Sequence, residues 1–424
     1  MANPRQPAST SAAQPVLGPA ASIPKRRPFW PLWVVGLLTL LMVLTLLLRT
    51  WALNSTPPGL WWDEATQGTD AWTLLHGQFS VFFPSAEGKE PLYVYLTTPF
   101  VAVWNGQPFA VRLAGALLGV LMVPALYITA RSLWREHPTA GLWAGLTAAG
   151  LWAVNFWPQS INRIGFQVNA FPIVMTLSVA TWVNWAFGRP TRKRAFVFGL
   201  LAGLTLATYL AARFSPVLWV ILFLLLPAQK RRRMRSGIPW ALLGFALTAV
   251  PLALHFVLHW QDFTSRTSVF PLLNGEYAGR AMLEALWFNF KMIAGGFLGW
   301  AGDPVLRHNI PNRPAFSPVT AVLVALGLGA ALFSLRRRSD PRGWTLLGWV
   351  VLLSLPGLLS LASNPHFPRL FGVLPAVLLL AAWPVASLAG ALAKRSVWLR
   401  AAAIAGLVVL LLSLIHISEP TRPY

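Results

Sequence analysis

Apolar runs long enough to cross a bilayer recur along almost the whole of this chain, and no other feature limits its fold so tightly. A hydrocarbon core about 30 Å thick takes about 20 helical residues. Runs of this kind lie at 30–50, 110–131, 139–158, 167–187, 195–212, 238–259, 317–335, 343–362, 370–391 and 397–415, with a shorter one at 214–229 opened by Ser215 and Pro216. Of the 424 residues, 56% are hydrophobic and 11% charged, so a soluble fold has too little polar surface to cover such runs. The expected fold is an all-α, polytopic integral membrane protein with about 11 transmembrane helices.

Charge supplies the orientation. The net charge of +22 raises the question of nucleic acid, but 22 of the 34 basic residues sit in alternate connections if the N-terminus is cytoplasmic. These are Arg5 and the KRR of 25–27; Arg131 and Arg135; Arg189 and the RKR of 192–194; the KRRR of 230–233 with Arg235; the RRR of 336–338 with Arg342; and Lys394, Arg395 and Arg400. The same connections hold two of the 12 acids, Glu136 and Asp340. Basic charge concentrated inside is a topology signal, and no nucleic-acid partner is expected. The chain is expected to be multi-pass in the plasma membrane. Residues 1–28, rich in Ala, Pro and Ser, read as a disordered cytoplasmic tail, and the membrane domain covers 29–411. Two connections are long, 51–109 and 260–316, and both fall outside, so chemistry is expected on the extracytoplasmic face. The chain has no cysteine, which removes disulfides and thiolate metal sites.

The outer loops hold the reactive residue types. PPGLWWDEATQGTDAW, 57–72, places Asp63 and Glu64 behind two tryptophans. Read as a helix, it sets Asp63, Gln67 and Asp70 on one face and Glu64 about 100° away. Two readings are open: Asp63 caps the helix while Glu64 complements its dipole, or the two acids have separate chemical roles. GQFSVFFPSAEGKEPLYVYL follows, with Glu87, Lys89, Glu90 and Tyr93; Lys89 beside a carboxylate also fits a plain salt bridge. NFWPQSINRIGFQVNAFP sets Arg163 at the outer end of a span, as an anchor to lipid phosphate or as a ligand. The second loop gathers Arg266, Asp303, Arg307, His308 and Arg313, and SNPHFPRLFG puts His366 and Arg369 on a short outer turn. His308 has no histidine close to it in sequence, so no metal site is assigned and no cofactor is required; a divalent metal has no support in the residues.

PPGLWWDEATQG, then KEPLYVYL and PFAVRLAGALLGVLMVPALYITARSLW, resembles the opening of the polyprenyl-phosphate-sugar-dependent glycosyltransferases of GT-C fold, the protein O-mannosyltransferase and lipid A aminoarabinose transferase relatives. GDPVLRHNIPNRPAFSP and SNPHFPRLFGVLPAV are similar to later segments of bacterial members, so the likeness runs over about 30–390. It implies an inverting transfer, on the outer face, of a sugar from a polyprenyl-phosphate donor to a protein, lipid or glycan acceptor. Asp63 then matches the base, with Glu64 orienting acceptor or base. Candidate cations for the donor phosphate are Lys89, Arg163, Arg266, Arg307 and Arg369; candidate substrate contacts are Glu90, Tyr93, Asp303, His308 and His366. Some relatives place a basic residue directly before the proline, whereas Glu90 stands there in this chain and Lys89 one step earlier.

The competing class is a transporter or lipid flippase, which shares many spans. Ion-coupled transport needs ionisable groups inside the bilayer, and none of the 12 acids lies deep in a predicted span. A scaffold or binding protein gives no reason for acids and arginines to gather outside. Finally, LSLIHISEPTR at 412–422 reads as the translation of a common transposon-end sequencing adapter. Residues 412–424 are therefore expected to be non-native and the natural chain to be interrupted near residue 411.

Overall fold

In the computed structural model, residues 31–265, 279–337, 340–360, 365–392 and residue 406 are described. The predicted tail of 1–28, the run at 397–415, Arg266 and the 412–424 segment lie outside them or nearly so. Within the described residues the chain is helical apart from turns and two isolated β-bridges, Phe83 to Lys89 and Gly302 to Pro314. Every backbone group of a membrane-spanning segment has to be bonded within the segment, and helices satisfy that condition.

Ten of the predicted runs coincide with helices. They are α1 (Leu32–Thr50), α4 (Pro108–Leu133), α5 (Pro138–Val154), α7 (Ala170–Ala186), α8 (Arg192–Leu206), α9 (Ser215–Leu225), α11 (Ile238–Leu258), α14 (Pro318–Ser334), α15 (Pro341–Leu358) and α17 (Leu374–Leu392). Among the described residues four segments, Leu32–Thr50, Pro108–Leu133, Ala228–Leu258 and Leu374–Leu392, are long and apolar enough to cross a membrane. The connection at 51–109 carries α2 (Trp62–Leu75) and α3 (Leu92–Trp104). Between longer helices lie the short α6 (Phe156–Asn162), α10 (Ala228–Met234), α12 (Trp260–Thr264) and α16 (Phe367–Leu370). The connection at 260–316 is more than a loop, for it contains α13 (Gly279–Leu298).

The core is formed where α4 packs on α5 and α7, and α17 on α5 and α14. Around it α1, α11 and α14 expose large apolar side chains such as Leu40, Leu47, Leu242, Leu254, Val322 and Leu326, a surface that hydrocarbon covers at no cost. Helix contact in lipid relies on close backbone approach. Gly199 and Gly203 of α8 supply it: a Cβ on Gly199 would collide with the Ala241 carbonyl of α11, and Gly244 answers from α11 against Phe196. Gly327 of α14 meets the Leu380 carbonyl of α17 in the same way.

Arg49, at the end of α1, is fully buried. It donates from Nε to Asn162 Oδ1 at 2.8 Å and from Nη2 and Nη1 to the Trp152 and Ala153 carbonyls at 3.0 and 3.3 Å. These carbonyls belong to the last turn of α5, where a cation answers both the orphan oxygens and the helix dipole. Together these bonds tie the end of α1 to the end of α5 and to α6.

Candidate active site

The acid pair divides as neither sequence reading anticipated. Glu64, at the third position of α2, accepts the Trp61 N–H at 3.1 Å, so the capping carboxylate is Glu64 and not Asp63. Its other bonds come from Arg112 Nε at 2.8 Å, Arg112 Nη2 at 3.2 Å and the Gly165 N–H at 2.8 Å. Glu64 is 2% exposed and Arg112 fully buried. The guanidinium goes on to donate to the carbonyls of Leu53 at 3.1 Å, Pro57 at 2.8 Å and Gly59. A carboxylate with four donors and no open side has no lone pair to offer a substrate. Glu64 and Arg112 build the turn that presents Asp63.

Asp63 points the other way. Its side chain keeps 25% exposure and pairs with Nη1 of Arg307, from the connection at 260–316. The Arg307 guanidinium lies 5.5 Å from the Trp61 ring centre and 4.8 Å from that of Phe166. Its Nε and Nη2 are buried with no hydrogen-bond partner. Two unpaired donors beside a neutralised one form a fork of the shape that binds carboxylate or phosphate.

The segment carrying Arg307 is held by a fully buried acid. Asp303 Oδ1 accepts the Val305 N–H at 2.9 Å; Oδ2 accepts the Phe367 N–H at 2.8 Å and lies 3.3 Å from His308 Nδ1. The carboxylate thereby joins 303–308 to the turn at 365–370. Asn309 closes the segment on itself through the Asp303 and Arg313 carbonyls, and Ser160 Oγ donates to the His308 carbonyl at 2.9 Å. Phe367 packs its ring 4.4 Å from Trp157.

These constraints bring the rings of His308 and His366 to 5.0 Å, edge to face, with His308 stacked parallel to Phe166. The partner that His308 lacks in sequence is present in space. His366 Nδ1 is buried without a hydrogen-bond partner. Burial, and after it Arg369, His308 and Arg307, hold the His366 imidazole well below its ordinary 6.5, so it is neutral. Among the described residues no group of three His, Asp or Glu is placed to hold a metal ion.

Asp63, Asp303, Arg307, His308, His366 and Arg369 therefore form one neighbourhood, and the other candidates within the described residues have different partners. Lys89, 1% exposed, places Nζ 2.6 Å from Asp70 and 3.0 Å from Thr66 Oγ1, with Ser85 Oγ donating to the same Asp70 oxygen at 2.6 Å. Glu90 is buried against Arg213 at 3.2 Å, and Tyr93 is buried with its hydroxyl on the Val111 carbonyl at 3.3 Å. Arg163 donates to the Leu48 and Thr56 carbonyls at 3.1 and 2.9 Å, and burial followed by Arg112 lowers its pKa below the usual range. These four are bonded to partners within the protein. Arg266 lies outside the described residues.

Arg112 escaped sequence reasoning, which sets Gln67 on the Asp63 face without a role. Arg112 is hidden because one arginine near the start of an apolar run reads as an ordinary helix-end charge; its partner stands 48 positions earlier. Gln67 stands one turn beyond Asp63 on α2, is 1% exposed, and has no partner on either amide atom. A buried polar group left unbonded costs about 1–3 kcal/mol.

With this geometry in hand, comparison with solved structures is informative. An oligosaccharyltransferase from Archaeoglobus fulgidus, AglB in complex with an inhibitory peptide and a dolichol-phosphate, superposes with a TM-score of 0.55 at 16% identity, over 91% of this chain and 55% of that one. ArnT from Cupriavidus metallidurans, bound to undecaprenyl phosphate, gives 0.54 at 16% identity, over 89% of this chain and 63% of that one. The fold is the GT-C fold. No family model matches the sequence, and no curated protein matches it either. The chain spans a little over half the length of the two GT-C proteins it superposes on.

Proposed function

We propose that this protein is a membrane glycosyltransferase that moves a sugar from a polyprenyl-phosphate donor to a hydroxyl-bearing acceptor, with inversion, on the extracytoplasmic face of the plasma membrane. The acceptor class is protein, lipid or glycan, and the N-terminus is cytoplasmic. The observation that carries the reading is the Asp63–Arg307 pair: a partly exposed carboxylate against a buried cation that keeps two donors unpaired. The GT-C relatives held dolichol-phosphate and undecaprenyl phosphate when solved, which supports a lipid-linked phosphate as the ligand of that cation.

The chemistry follows from charge. A sugar joined to polyprenyl phosphate is a phosphodiester with one negative charge; cleavage of the C1–O bond leaves a monoester that carries two. Arg307 and Arg369 offset the charge that develops, and the neutral His366 imidazole supplies a hydrogen bond without adding a proton beforehand. Asp63 takes the acceptor's hydroxyl proton as the oxygen attacks C1 from the opposite face. Asp63 is free to do so once phosphate draws the Arg307 guanidinium, since Glu64 and Arg112 keep α2 in position. Gln67, on the same side of α2, is the proposed contact to a sugar hydroxyl, which satisfies both atoms of its amide.

The test is a comparison of envelope glycans by mass spectrometry in cells with and without the intact gene. The reading expects one glycan class to be lost. Unchanged glycans together with altered uptake of a solute would point to transport and overturn it.

A further inference from the structure

The KRRR run at 230–233 and Arg235 have no part in the reaction proposed above. They occupy α10 and the turn after it, between the end of α9 and the start of α11. Arg213, which pairs with Glu90, stands at the opposite end of α9. Arg231, Arg232 and Arg235 line a cavity of about 420 Å³ whose remaining walls are Phe223, Ala228 and Ile238. That size falls in the range of about 300–1,000 Å³ usual for small-ligand pockets. No acid lines it.

Simple inside-positive charge does not require such an arrangement, because other basic residues on this side are engaged by the protein. Arg342 forms a fork on Asp340 with distances of 2.6 to 3.1 Å. Arg194 donates to the Asn184 and Arg189 carbonyls at 3.2 and 3.1 Å, and the Lys230 ammonium sits 3.8 Å from the Phe187 ring centre. Arg231 makes one bond, to the Leu224 carbonyl at 3.1 Å. Among the described residues, Arg232 and Arg235 have no carboxylate within ion-pair distance. Three guanidinium groups around one concavity, with an apolar floor, match an anion that carries a hydrocarbon part.

We propose that this cavity binds the phosphodiester headgroup of an anionic phospholipid, whose acyl chains lie along α9 and α11. Leu224, Leu242 and Leu243 are exposed on those helices, and a free phosphate would leave them and the Phe223 and Ile238 walls uncovered. Basic pockets between membrane helices recognise lipid headgroups by this combination of charge and apolar contact. The proposal does not depend on glycosyl transfer.

The test uses the full chain in nanodiscs of phosphatidylcholine containing increasing phosphatidylglycerol, with native mass spectrometry of the lipid retained. The expected result is selective retention of one phosphatidylglycerol. Retention should fall by about tenfold or more in the Arg231→Gln, Arg232→Gln, Arg235→Gln triple variant. It should be kept in the Arg192→Gln, Lys193→Gln variant, which removes exposed charge from residues that do not line the cavity. Equal loss in both variants, or no preference for phosphatidylglycerol in the unmodified protein, would overturn the proposal. Displacement by millimolar inorganic phosphate would overturn it too, by marking a soluble-anion site. If the triple variant does not fold, Arg235→Gln alone decides, read as the rise of Tm with phosphatidylglycerol fraction. A rise equal to that of the unmodified protein contradicts the proposal.

Discussion

Replacing Glu64 by alanine is expected to destabilise the protein before it affects any chemistry. The side chain is buried and accepts four hydrogen bonds, two of them from Arg112, itself fully buried. Removing it strands a guanidinium whose remaining bonds are all to backbone carbonyls of 53–59. Breaking one partner of a buried pair costs about 3–5 kcal/mol, or roughly 10²- to 10⁴-fold in the folding equilibrium. The variant should show a clear fall in Tm and fast proteolysis within the 53–64 turn in nanodiscs. Glu64→Leu combined with Arg112→Met should recover part of that loss, because no charge is then left unpaired although the backbone groups that the pair bonded lose their partners. An alanine variant that melts like the unmodified protein yet transfers no sugar would refute this reasoning and return Glu64 to the reacting centre.

Other perturbations separate the remaining roles. Arg307→Gln should lower the rate of transfer by about 10²- to 10³-fold, as loss of one donor to a developing anion does, while Tm changes little; an unchanged rate would exclude it from the phosphate. The depressed pKa of His366 means that below its ordinary value near 6.5 the unfolded chain binds a proton the folded chain does not. Stability should therefore fall as pH drops below about 6.5, and His366→Gln should flatten that slope in melts taken between pH 7 and pH 5. Gly199→Ala should cost about 1–3 kcal/mol, the range for overpacking, because its Cβ meets the Ala241 carbonyl; a melt unchanged from the unmodified protein would show that α8 and α11 can move apart freely.

The fold was legible wherever one segment carries its own signal. Run length and apolar composition located ten helices because a helix in lipid needs nothing beyond itself to satisfy its backbone. α13 was missed because its 20 residues mix Arg280, Glu284 and Lys291 with exposed Leu283, Trp287, Phe288 and Phe290, which blurs the apolar run. The site was legible as a list of residue types and not as an arrangement. Asp63 and Glu64 are neighbours in sequence, so spacing could separate their directions but not assign them. That assignment depends on partners 48 and 244 positions away, Arg112 and Arg307. In the same way the His308 and His366 contact exists because Asp303 joins two loops through the Phe367 N–H, a bond with no sequence signature.

The proposed reaction rests on Asp63 as the base, and the most direct measurement is sugar transfer from a polyprenyl-phosphate donor by purified Asp63→Asn beside the unmodified protein. The asparagine keeps size and hydrogen bonding at a partly exposed position, so both proteins should show similar Tm. The variant should be slower by about 10²- to 10⁴-fold, the usual contribution of a general base. Equal rates from two equally folded proteins would contradict the account.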